Sequence, residues 1–299
     1  MTPIPAELAT LRDWVRYAVS RFEAAHLSYG HGTDNAYDEA VFLVLATLHL
    51  PLDRLDPFLD ARLTAPERAA LHQAVERRAV DHVPVSYLTH QAWLGDFRFY
   101  VDERVVIPRS FIAELLQEQL SPWVAEPDRI SSALDLCTGS GCLAIILADA
   151  FANADIDAVD ISADALAVAQ HNVAEYGLQD RINLVRSDLF HNVNAEDKTY
   201  DLIISNPPYV TRAAMSALPA EYLHEPEIAL AAGDDGLDAI RQIISESRGY
   251  LSVGGLLVVE AGHNRSLVEA AFPGLPFTWL VTPSSAEKIF LLRREDLPV

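Results

Sequence analysis

An apolar strand pattern runs directly into a glycine-rich loop in the stretch Leu134-Asp135-Leu136-Cys137-Thr138-Gly139-Ser140-Gly141-Cys142-Leu143-Ala144. Glycine lets the backbone turn tightly and leaves no Cβ between the chain and a ligand. The helical pattern that follows would point its positive N-terminal end at the same crevice. Gly139, Gly141 and Ala144 also satisfy the G-x-G-x-x-A pattern of dinucleotide sites. By itself the loop is compatible with a ligand site and with a purely structural turn.

Strand and helix patterns alternate along the chain after this loop. The apolar segments that are candidate strands are 133–136, 156–161, 182–187, 200–206 and 255–261. Helical patterns lie between them at 142–151, 163–176 and 237–251. Because strands and helices alternate, we predict a parallel, doubly wound sheet with right-handed crossovers.

Two further strand patterns, 277–281 and 288–293, end the chain without a helix between them. Strands joined by a short polar turn must pair as an antiparallel hairpin. A terminal hairpin is unusual for a nicotinamide-binding domain and usual for a class I methyltransferase. The predicted fold class is therefore α/β, a Rossmann-like doubly wound sheet with an antiparallel terminal hairpin.

The N-terminal part of the chain has a different pattern. Residues 7–85 carry apolar residues at helical spacing, and Thr64-Ala65-Pro66-Glu67 is a typical helix start. Residues 85–106 change to aromatic and β-branched residues that alternate with polar ones, which predicts a β-hairpin. We therefore predict a helical domain at 1–84, a β-hairpin linker at 85–107 and the α/β domain at 108–299.

An acidic residue ends the second predicted strand. Asp160 follows the last loop glycine by 19 residues, and an acid at this strand tip can accept hydrogen bonds from both ribose hydroxyls of a nucleoside. A helix cap is its alternative role, but Ser162 fits that role better. After the third strand, Asp188 is placed to accept from the exocyclic amine of adenine, and Leu189 is placed to pack on the ring. Together with Cys137-Thr138-Gly139-Ser140-Gly141, these residues predict a nucleoside cofactor.

The fourth predicted strand ends in Asn206-Pro207-Pro208-Tyr209. Two prolines remove two backbone donors, so this tip is rich in acceptors, namely the Asn206 side-chain oxygen and the Pro207 carbonyl. Two converging acceptors suit an NH2 group, and Tyr209 offers a flat face for a planar amide or base. When both acceptors bind the hydrogens of the NH2 group, electron density concentrates on its nitrogen. Correct positioning can then supply much of the rate acceleration of a methyl transfer to that nitrogen. A plain Pro-Pro turn is the alternative, which the nucleoside site on the preceding strands disfavours.

The composition restricts the partners and the compartment. The chain of 299 residues has 22 basic and 43 acidic residues, a formal net charge of −21. Such a surface repels nucleic-acid phosphates and favours a basic protein partner, although acidity can also serve solubility alone. Cys137 and Cys142 suit neither a disulfide framework nor a zinc site, so we expect no metal and a reducing cytoplasm. The apolar run 40–50 is too short to cross a bilayer, and we expect no membrane partner.

Taken together, these motifs resemble those of the protein-glutamine N(5)-methyltransferases, the HemK/PrmB-like family. Its members methylate the glutamine of a Gly-Gly-Gln motif in release factors, or a glutamine in a large-subunit ribosomal protein. The likeness covers nearly the whole chain. It implies that the α/β domain is a class I S-adenosylmethionine-dependent catalytic domain and that the helical domain recognises the substrate. The similar stretches are DLCTGSG at 135–141, VDIS at 159–162, NPPY at 206–209, IPR at 107–109 and the segment 225–237.

The resemblance also implies roles for individual residues. Residues 137–141, Asp160, Leu189 and Asn206 would contact S-adenosyl-L-methionine, whose product is S-adenosyl-L-homocysteine. Asn206 to Tyr209 would receive the glutamine, so Asn206, Pro207, Pro208 and Tyr209 are the predicted catalytic residues.

Three stretches are similar to the ribosomal-protein branch in particular: 29–35, 108–110 and 276–280. The release-factor branch typically has Pro-Arg-Pro where this chain has Pro108-Arg109-Ser110, glycine in place of Cys137 and an aromatic residue in place of Leu189. The implied partner is a basic large-subunit ribosomal protein, free or in an early assembly intermediate. A release factor is the alternative substrate.

Other protein classes share parts of the pattern. Asn-Pro-Pro-Tyr also occurs in enzymes that methylate adenine or guanine amino groups after flipping the base out of its stack. The charge of −21 and the lack of a Lys/Arg cluster argue against a nucleic-acid substrate. An NAD-dependent dehydrogenase would explain the glycine loop, but neither the Asn-Pro-Pro-Tyr tip nor the terminal hairpin. A non-enzymatic assembly factor with a vestigial cofactor site would not need every acceptor that is present.

Overall fold

The computed structural model describes residues 4–5, 7–193 and 198–299. The chain packs into two compact units. The first comprises Met1–Ala92 with Leu218–His224, and the second comprises Trp93–Ala217 with Glu225–Val299. The first unit is helical and the second contains the large sheet. The domain bounds 1–84, 85–107 and 108–299 stay a prediction.

Within the described residues, the first unit has four α-helices: α1 Leu11–Ala24, α2 Ala36–Thr47, α3 Ala65–Asp81 and α4 Val85–Thr89. Capping boxes begin α1 and α3, where Thr10 pairs with Asp13 and Thr64 pairs with Glu67. Each box satisfies backbone N–H groups that have no partner inside the helix. The start of α3 is the one that the sequence predicts.

The segment Leu218–His224 packs with the helices because it neutralises a buried charge. Arg78 of α3 is buried, and it donates to Glu39 from Nε at 2.6 Å and to Glu221 from Nη1 at 3.0 Å. Glu221 also accepts from the backbone N–H of Ser28 at 3.0 Å. Because a buried guanidinium without its carboxylates is strongly destabilising, Glu221 ties its segment to the helical unit.

The β-hairpin expected over 85–106 is shorter in the structure. Its first residues, Val85–Thr89, form α4 instead, because burying Val85 and Tyr87 in the helical unit outweighs their strand preference. Beyond the hairpin, Asp102 accepts from the backbone N–H and the guanidinium of Arg104, which closes a turn where a strand was expected. The two strands are β1, Ala92–Leu94, and β2, Phe97–Phe99.

The second unit is built on a seven-stranded sheet. Its strands are β3 Ser132–Leu136, β4 Asp155–Asp160, β5 Ile182–Arg186, β6 Tyr200–Ser205, β7 Leu251–Glu260, β8 Thr278–Thr282 and β9 Ser285–Arg293. Its helices are α5 Ile112–Gln117, α6 Cys142–Ala150, α7 Ala163–Glu175, α8 Arg212–Met215, α9 Asp238–Tyr250 and α10 Arg265–Ala271. The strand order is β5-β4-β3-β6-β7-β9-β8. The first five are parallel, and β9 pairs antiparallel with both β7 and β8, which confirms the predicted fold class.

Two strands begin three or more residues earlier than the sequence pattern indicates. β7 begins at Leu251 rather than at 255, because a β-bulge against β6 accommodates the glycine pair that interrupts its apolar run. β9 begins at Ser285 rather than at 288, because Thr282 already pairs with Ser285 across a tighter turn. The short helix α10, between β7 and β8, was not expected.

The carboxyl ends of the parallel strands meet at one edge of the sheet. Leu136 at the end of β3 lies opposite Val159 of β4 and Ser205 of β6, and Ser205 lies opposite Val259 of β7. In parallel sheets, ligands bind in the crevice beyond this edge. The glycine-rich loop, the acid of β4 and the Asn-Pro-Pro-Tyr segment therefore leave the sheet side by side.

Candidate active site

The loop after β3 adopts left-handed backbone angles at three positions. Cys137, Gly139 and Gly141 have φ of +61°, +56° and +79°. A Cβ at Gly141 would lie 3.2 Å from the Cβ of Ala169 in α7, so glycine is what lets the loop pack against that helix. A Cβ at Gly139 would meet nothing within 4 Å. One glycine thus serves packing, and the other faces open space.

Asp160 holds this loop from the end of β4. Its Oδ2 accepts from the backbone N–H of Gly139 and its Oδ1 from that of Ser162, both at 2.9 Å. Burial raises the pKa of the Asp160 carboxyl, and the backbone donors lower it. Ser162 caps α7 by accepting from Ala165, as the sequence predicts. Since each carboxylate oxygen has a further lone pair, Asp160 can fix the loop and still accept from a ligand.

A second acid, Asp135, lies beneath the loop and was not among the expected site residues. It is completely buried, and its Oδ2 accepts from Thr138 Oγ1 at 2.6 Å. Burial raises the pKa of Asp135 from its ordinary value of 3.8 to about 7, and the nearby charge of Asp160 adds to the increase. The sequence carries a weak signal for this role, because a carboxylate inside an apolar strand needs a specific partner.

Replacing Asp135 by asparagine should stabilise the protein more at pH 8 than at pH 5. The folded-state pKa lies above the unfolded value, so the contribution of Asp135 to stability falls as the pH rises through that interval. One pKa unit corresponds to about 1.4 kcal/mol. The difference in free energy of unfolding between Asp135→Asn and the parent protein should therefore increase by roughly 2 to 3 kcal/mol from pH 5 to pH 8. Denaturant unfolding at both pH values measures it, with the exposed Asp149→Asn as control. A difference that does not depend on pH would contradict the assignment.

The two predicted residues after β5 have different surroundings. Leu189 is buried, has φ of +45° and packs in the same apolar cluster as Cys137. Asp188 is exposed. The backbone N–H of Ser187 donates to the carbonyl of Asp160 at 3.0 Å, which places the end of β5 beside the end of β4. The structure thus brings Leu189 to the glycine-rich loop and leaves the Asp188 side chain exposed to solvent.

Asn206, the first residue after β6, is one of several residues that carry a buried polar atom without a hydrogen-bond partner. Its Oδ1 has no hydrogen-bond partner among residues 4–5, 7–193 and 198–299. Buried acceptors in native proteins are almost always satisfied, and each exception calls for a reason. An N–H group of a bound molecule would satisfy this oxygen.

Tyr209 is fixed by residues from two other segments. Its carbonyl accepts from Asn264 Nδ2 at 2.7 Å, and its hydroxyl lies 3.4 Å from Glu260 Oε1. A Cβ at Gly262 would come within 2.6 Å of the Tyr209 ring, and a Cβ at Gly236 within 2.5 Å of its carbonyl oxygen. The two glycines therefore leave room that any larger residue would remove.

Two buried glutamates were also missed by sequence reasoning. Glu260, the last residue of β7, accepts at Oε2 from the Ser110 hydroxyl at 2.7 Å. Glu225 accepts from Arg109 Nη2 at 2.7 Å and from the backbone N–H of Ile107 at 3.0 Å. Both bind the segment that precedes α5, which the sequence had singled out only by resemblance. Their partners are more than 100 residues away in the chain, so no local pattern indicates them.

The cysteines and the metal-ligating residue types supply no reactive centre in the described part of the chain. Burial raises the pKa of the thiols of Cys137 and Cys142, that of Cys142 to about 12, so both stay protonated near neutral pH. Among the residues that the structure describes, no three His, Cys, Asp or Glu side chains group as metal ligands would. In the same residues, no helix has the length and apolarity required to cross a bilayer.

Comparison with solved structures supports the fold. The catalytic domain of hMettl16, in complex with MAT2A 3'UTR hairpin 6, aligns with a TM-score of 0.51 and 15% sequence identity. The alignment covers 79% of this chain and 84% of that one. At this identity the likeness concerns the fold alone.

Sequence comparison is more specific. The family model described as "Methyltransferase small domain" matches residues 113–233. The ribosomal protein uL3 glutamine methyltransferase of Neisseria gonorrhoeae is 57% identical over 97% of this chain and 96% of its own length. That of Bordetella pertussis is 57% identical over 97% of both chains, and that of Burkholderia pseudomallei is 55% identical over 100% and 99%. At this identity and coverage, the chain belongs to the ribosomal protein uL3 glutamine methyltransferase family.

Proposed function

We propose that this protein transfers a methyl group from S-adenosyl-L-methionine to the side-chain amide nitrogen of a glutamine in the large-subunit ribosomal protein uL3. The observation that carries the proposal at the level of chemistry is the buried, unpartnered Oδ1 of Asn206. The homologues that share nearly the full length of this chain are named for the same reaction.

The residues beyond the sheet edge fit the methyl donor, which leaves as S-adenosyl-L-homocysteine. Gly139 faces open space, so the loop Cys137–Gly141 can approach the amino-acid portion of the donor without a side chain between them. Asp160 retains lone pairs for the ribose hydroxyls, and Asp188 and Leu189 would flank the adenine. Asn206 follows β6, which pairs with β3, the strand that leads into the glycine-rich loop. The sites for the methyl donor and for the target amide would therefore meet at Asn206.

The protein's own contribution to the chemistry is the orientation of the target amide. S-adenosyl-L-methionine supplies an electrophilic methyl group on a positively charged sulfur. An amide nitrogen is a weak nucleophile, because its lone pair is delocalised into the carbonyl. Asn206 Oδ1 and the Pro207 carbonyl would accept its two hydrogens, while Pro208 keeps a competing N–H out of the site and Tyr209 stacks on the amide plane. Fixed acceptors of this kind stabilise the charge that develops during transfer.

The charge of the chain supports a basic protein as the substrate. Because the chain has a net charge of −21, electrostatic attraction steers its encounter with a basic ribosomal protein. The phosphate surface of an assembled ribosome repels the enzyme for the same reason. We infer that the free protein or an early assembly intermediate is the substrate, and that the reaction takes place in the cytoplasm. The helical unit, predicted from residues 1–84, would recognise the substrate.

Methyl incorporation should be fast with free uL3 and slow with mature large subunits. Raising the salt concentration should slow the reaction with free uL3, because screening acts over a Debye length of about 10 Å at 0.1 M ionic strength. A short neutral peptide that carries the target glutamine should show much weaker salt dependence and a higher KM. Labelled methyl transfer to the three substrates across a salt series measures these differences.

A release factor, assayed in parallel, tests the alternative substrate. Faster methylation of the release factor than of uL3 would transfer the assignment to that substrate. Mature subunits that accept methyl groups as fast as free uL3, or a rate that does not depend on salt, would contradict electrostatic steering.

A further inference from the structure

In the proposed reaction the ring of Tyr209 stacks on the target amide, so the position of this ring affects how the amide is presented. β7 runs beside β6 with Val259 opposite Ser205, so Glu260 is the strand residue beside Asn206. Glu260 is 1% exposed, which is rare for a carboxylate unless it is specifically paired. Glu260 lies at the edge of the sheet where the reaction would take place, and the proposed reaction does not yet use it. We therefore ask what its carboxylate binds.

The hydrogen bonds of Glu260 divide between its two oxygens. Oε2 accepts from the Ser110 hydroxyl at 2.7 Å and from the backbone N–H of Phe111 at 3.0 Å. Oε1 lies 3.4 Å from the Tyr209 hydroxyl, which makes this the longest of its contacts. Burial raises the pKa of the Glu260 carboxyl, although its hydrogen bonds and the charge of Lys288, which stands over the Phe111 ring at 4.6 Å, oppose the increase. Glu260 thus binds the turn before α5 through Oε2 and contacts the Tyr209 hydroxyl through Oε1.

Tyr209 also lies against Asn264 and Gly262. Asn264 holds the backbone carbonyl of Tyr209, and Gly262 gives the ring a close-packed face without a polar atom. The hydroxyl contact with Glu260 opposes rotation and tilt of the ring on that face. Asn206 and Tyr209 are three residues apart, so a tilt of the ring changes how a stacked amide meets the Asn206 oxygen.

We propose that Glu260 is a positioning residue for methyl transfer, which links the Ser110 turn to the Tyr209 ring and thereby sets the plane in which the target amide is presented. This inference rests on the proposed function, because it assigns Tyr209 to the substrate amide. Ser110 takes part through its hydroxyl, which a proline at that position lacks.

The first test compares three variants by steady-state kinetics with free uL3. Glu260→Ala should lower kcat by about ten- to a hundredfold, the cost of a small misplacement of the reacting group, and leave the Kd for S-adenosyl-L-homocysteine within about twofold. Glu260→Gln should recover most of the loss, because its oxygen can accept from Ser110 and its NH2 can donate to the Tyr209 hydroxyl. Tyr209→Phe should lower kcat and have little further effect in the Glu260→Ala background, since both changes remove one contact.

Each result has a counterpart that would overturn the proposal. The proposal fails if Glu260→Ala leaves kcat unchanged, or if Glu260→Gln has a kcat no higher than that of Glu260→Ala. It also fails if the affinity for S-adenosyl-L-homocysteine falls in parallel with kcat. Finally, it fails if the effects of Glu260→Ala and Tyr209→Phe on kcat multiply fully in the double variant. Ser110→Ala should lower kcat less than Glu260→Ala, because Phe111 still donates to the carboxylate. Ser247→Ala removes another buried hydroxyl, which donates to a carbonyl inside α9, and serves as the matched control.

A second measurement separates this inference from the proposed function. 3-Fluorotyrosine at position 209 should give one sharp fluorine resonance in the parent protein and a shifted, exchange-broadened one in Glu260→Ala, with no substrate present. If the parent failed to methylate uL3 but the resonance behaved in this way, the substrate assignment would fail and the positioning role would stand. An identical resonance in both proteins would refute the positioning role whatever the activity.

Discussion

Replacing Asn206 by alanine should lower the turnover number for methyl transfer about 100- to 1,000-fold and leave the protein folded. The Oδ1 atom of Asn206 is a buried acceptor that has no partner among the described residues, so its removal breaks no hydrogen bond that the structure shows within the fold. The transition state loses one of two fixed acceptors, an effect comparable to the loss of one oxyanion-hole donor. The loss should therefore appear in kcat rather than in the melting temperature.

Single-turnover methylation of free uL3, together with thermal unfolding of the same preparations, measures both quantities. Asn153→Ala is a suitable control, because Asn153 is exposed in the same unit and donates only to the carbonyl of Asp128 among its described contacts. A variant Asn206→Ala that methylates at nearly the parental rate with unchanged melting would remove this residue from the mechanism.

Replacing Asp160 by alanine should weaken the binding of S-adenosyl-L-methionine by roughly 2 to 4 kcal/mol, which is about 30- to 1,000-fold in Kd. The carboxylate would lose its bonds to both ribose hydroxyls of the donor. The structure adds a second contribution, because Asp160 also accepts from the backbone N–H of Gly139 and so shapes the loop. The measured loss is therefore a sum of direct contact and loop positioning.

Calorimetric titration with two ligands separates the two contributions. S-adenosyl-L-homocysteine carries both ribose hydroxyls, and its 2′,3′-dideoxy analogue carries neither. If Asp160 binds the hydroxyls, the parent should discriminate strongly between the ligands and Asp160→Ala should not. Asp164→Ala, an exposed acid in the first turn of α7, controls for the change of charge. Equal affinities of parent and Asp160→Ala for S-adenosyl-L-homocysteine would leave the acid with a structural role only.

Much of the fold could be predicted because its signals are local. The apolar runs of β3 to β6, the terminal hairpin and the capping box of α3 each depend on residues that are close in sequence. The Asn-Pro-Pro-Tyr tip was recognisable for the same reason, because two prolines and a terminal Asn act on the backbone where they stand. Right-handed crossovers then fix the face of the sheet that each connecting helix covers. The strand order itself, with β6 beside β3 and β9 between β7 and β8, was not predicted.

What the sequence by itself determined, then, is the set of elements, the strand tips that carry the glycine loop, Asp160 and Asn206, and the acidic charge that favours a basic partner. The tertiary structure alone decided that Val85–Thr89 is helical, that Glu221 returns to the helical unit to pair with Arg78, and that Glu260 and Glu225 reach the segment before α5. The physical reason is that a buried charge must find its partners wherever folding brings them. Such pairs join residues more than 100 positions apart, and their energy comes from desolvation and geometry that exist only in the packed chain.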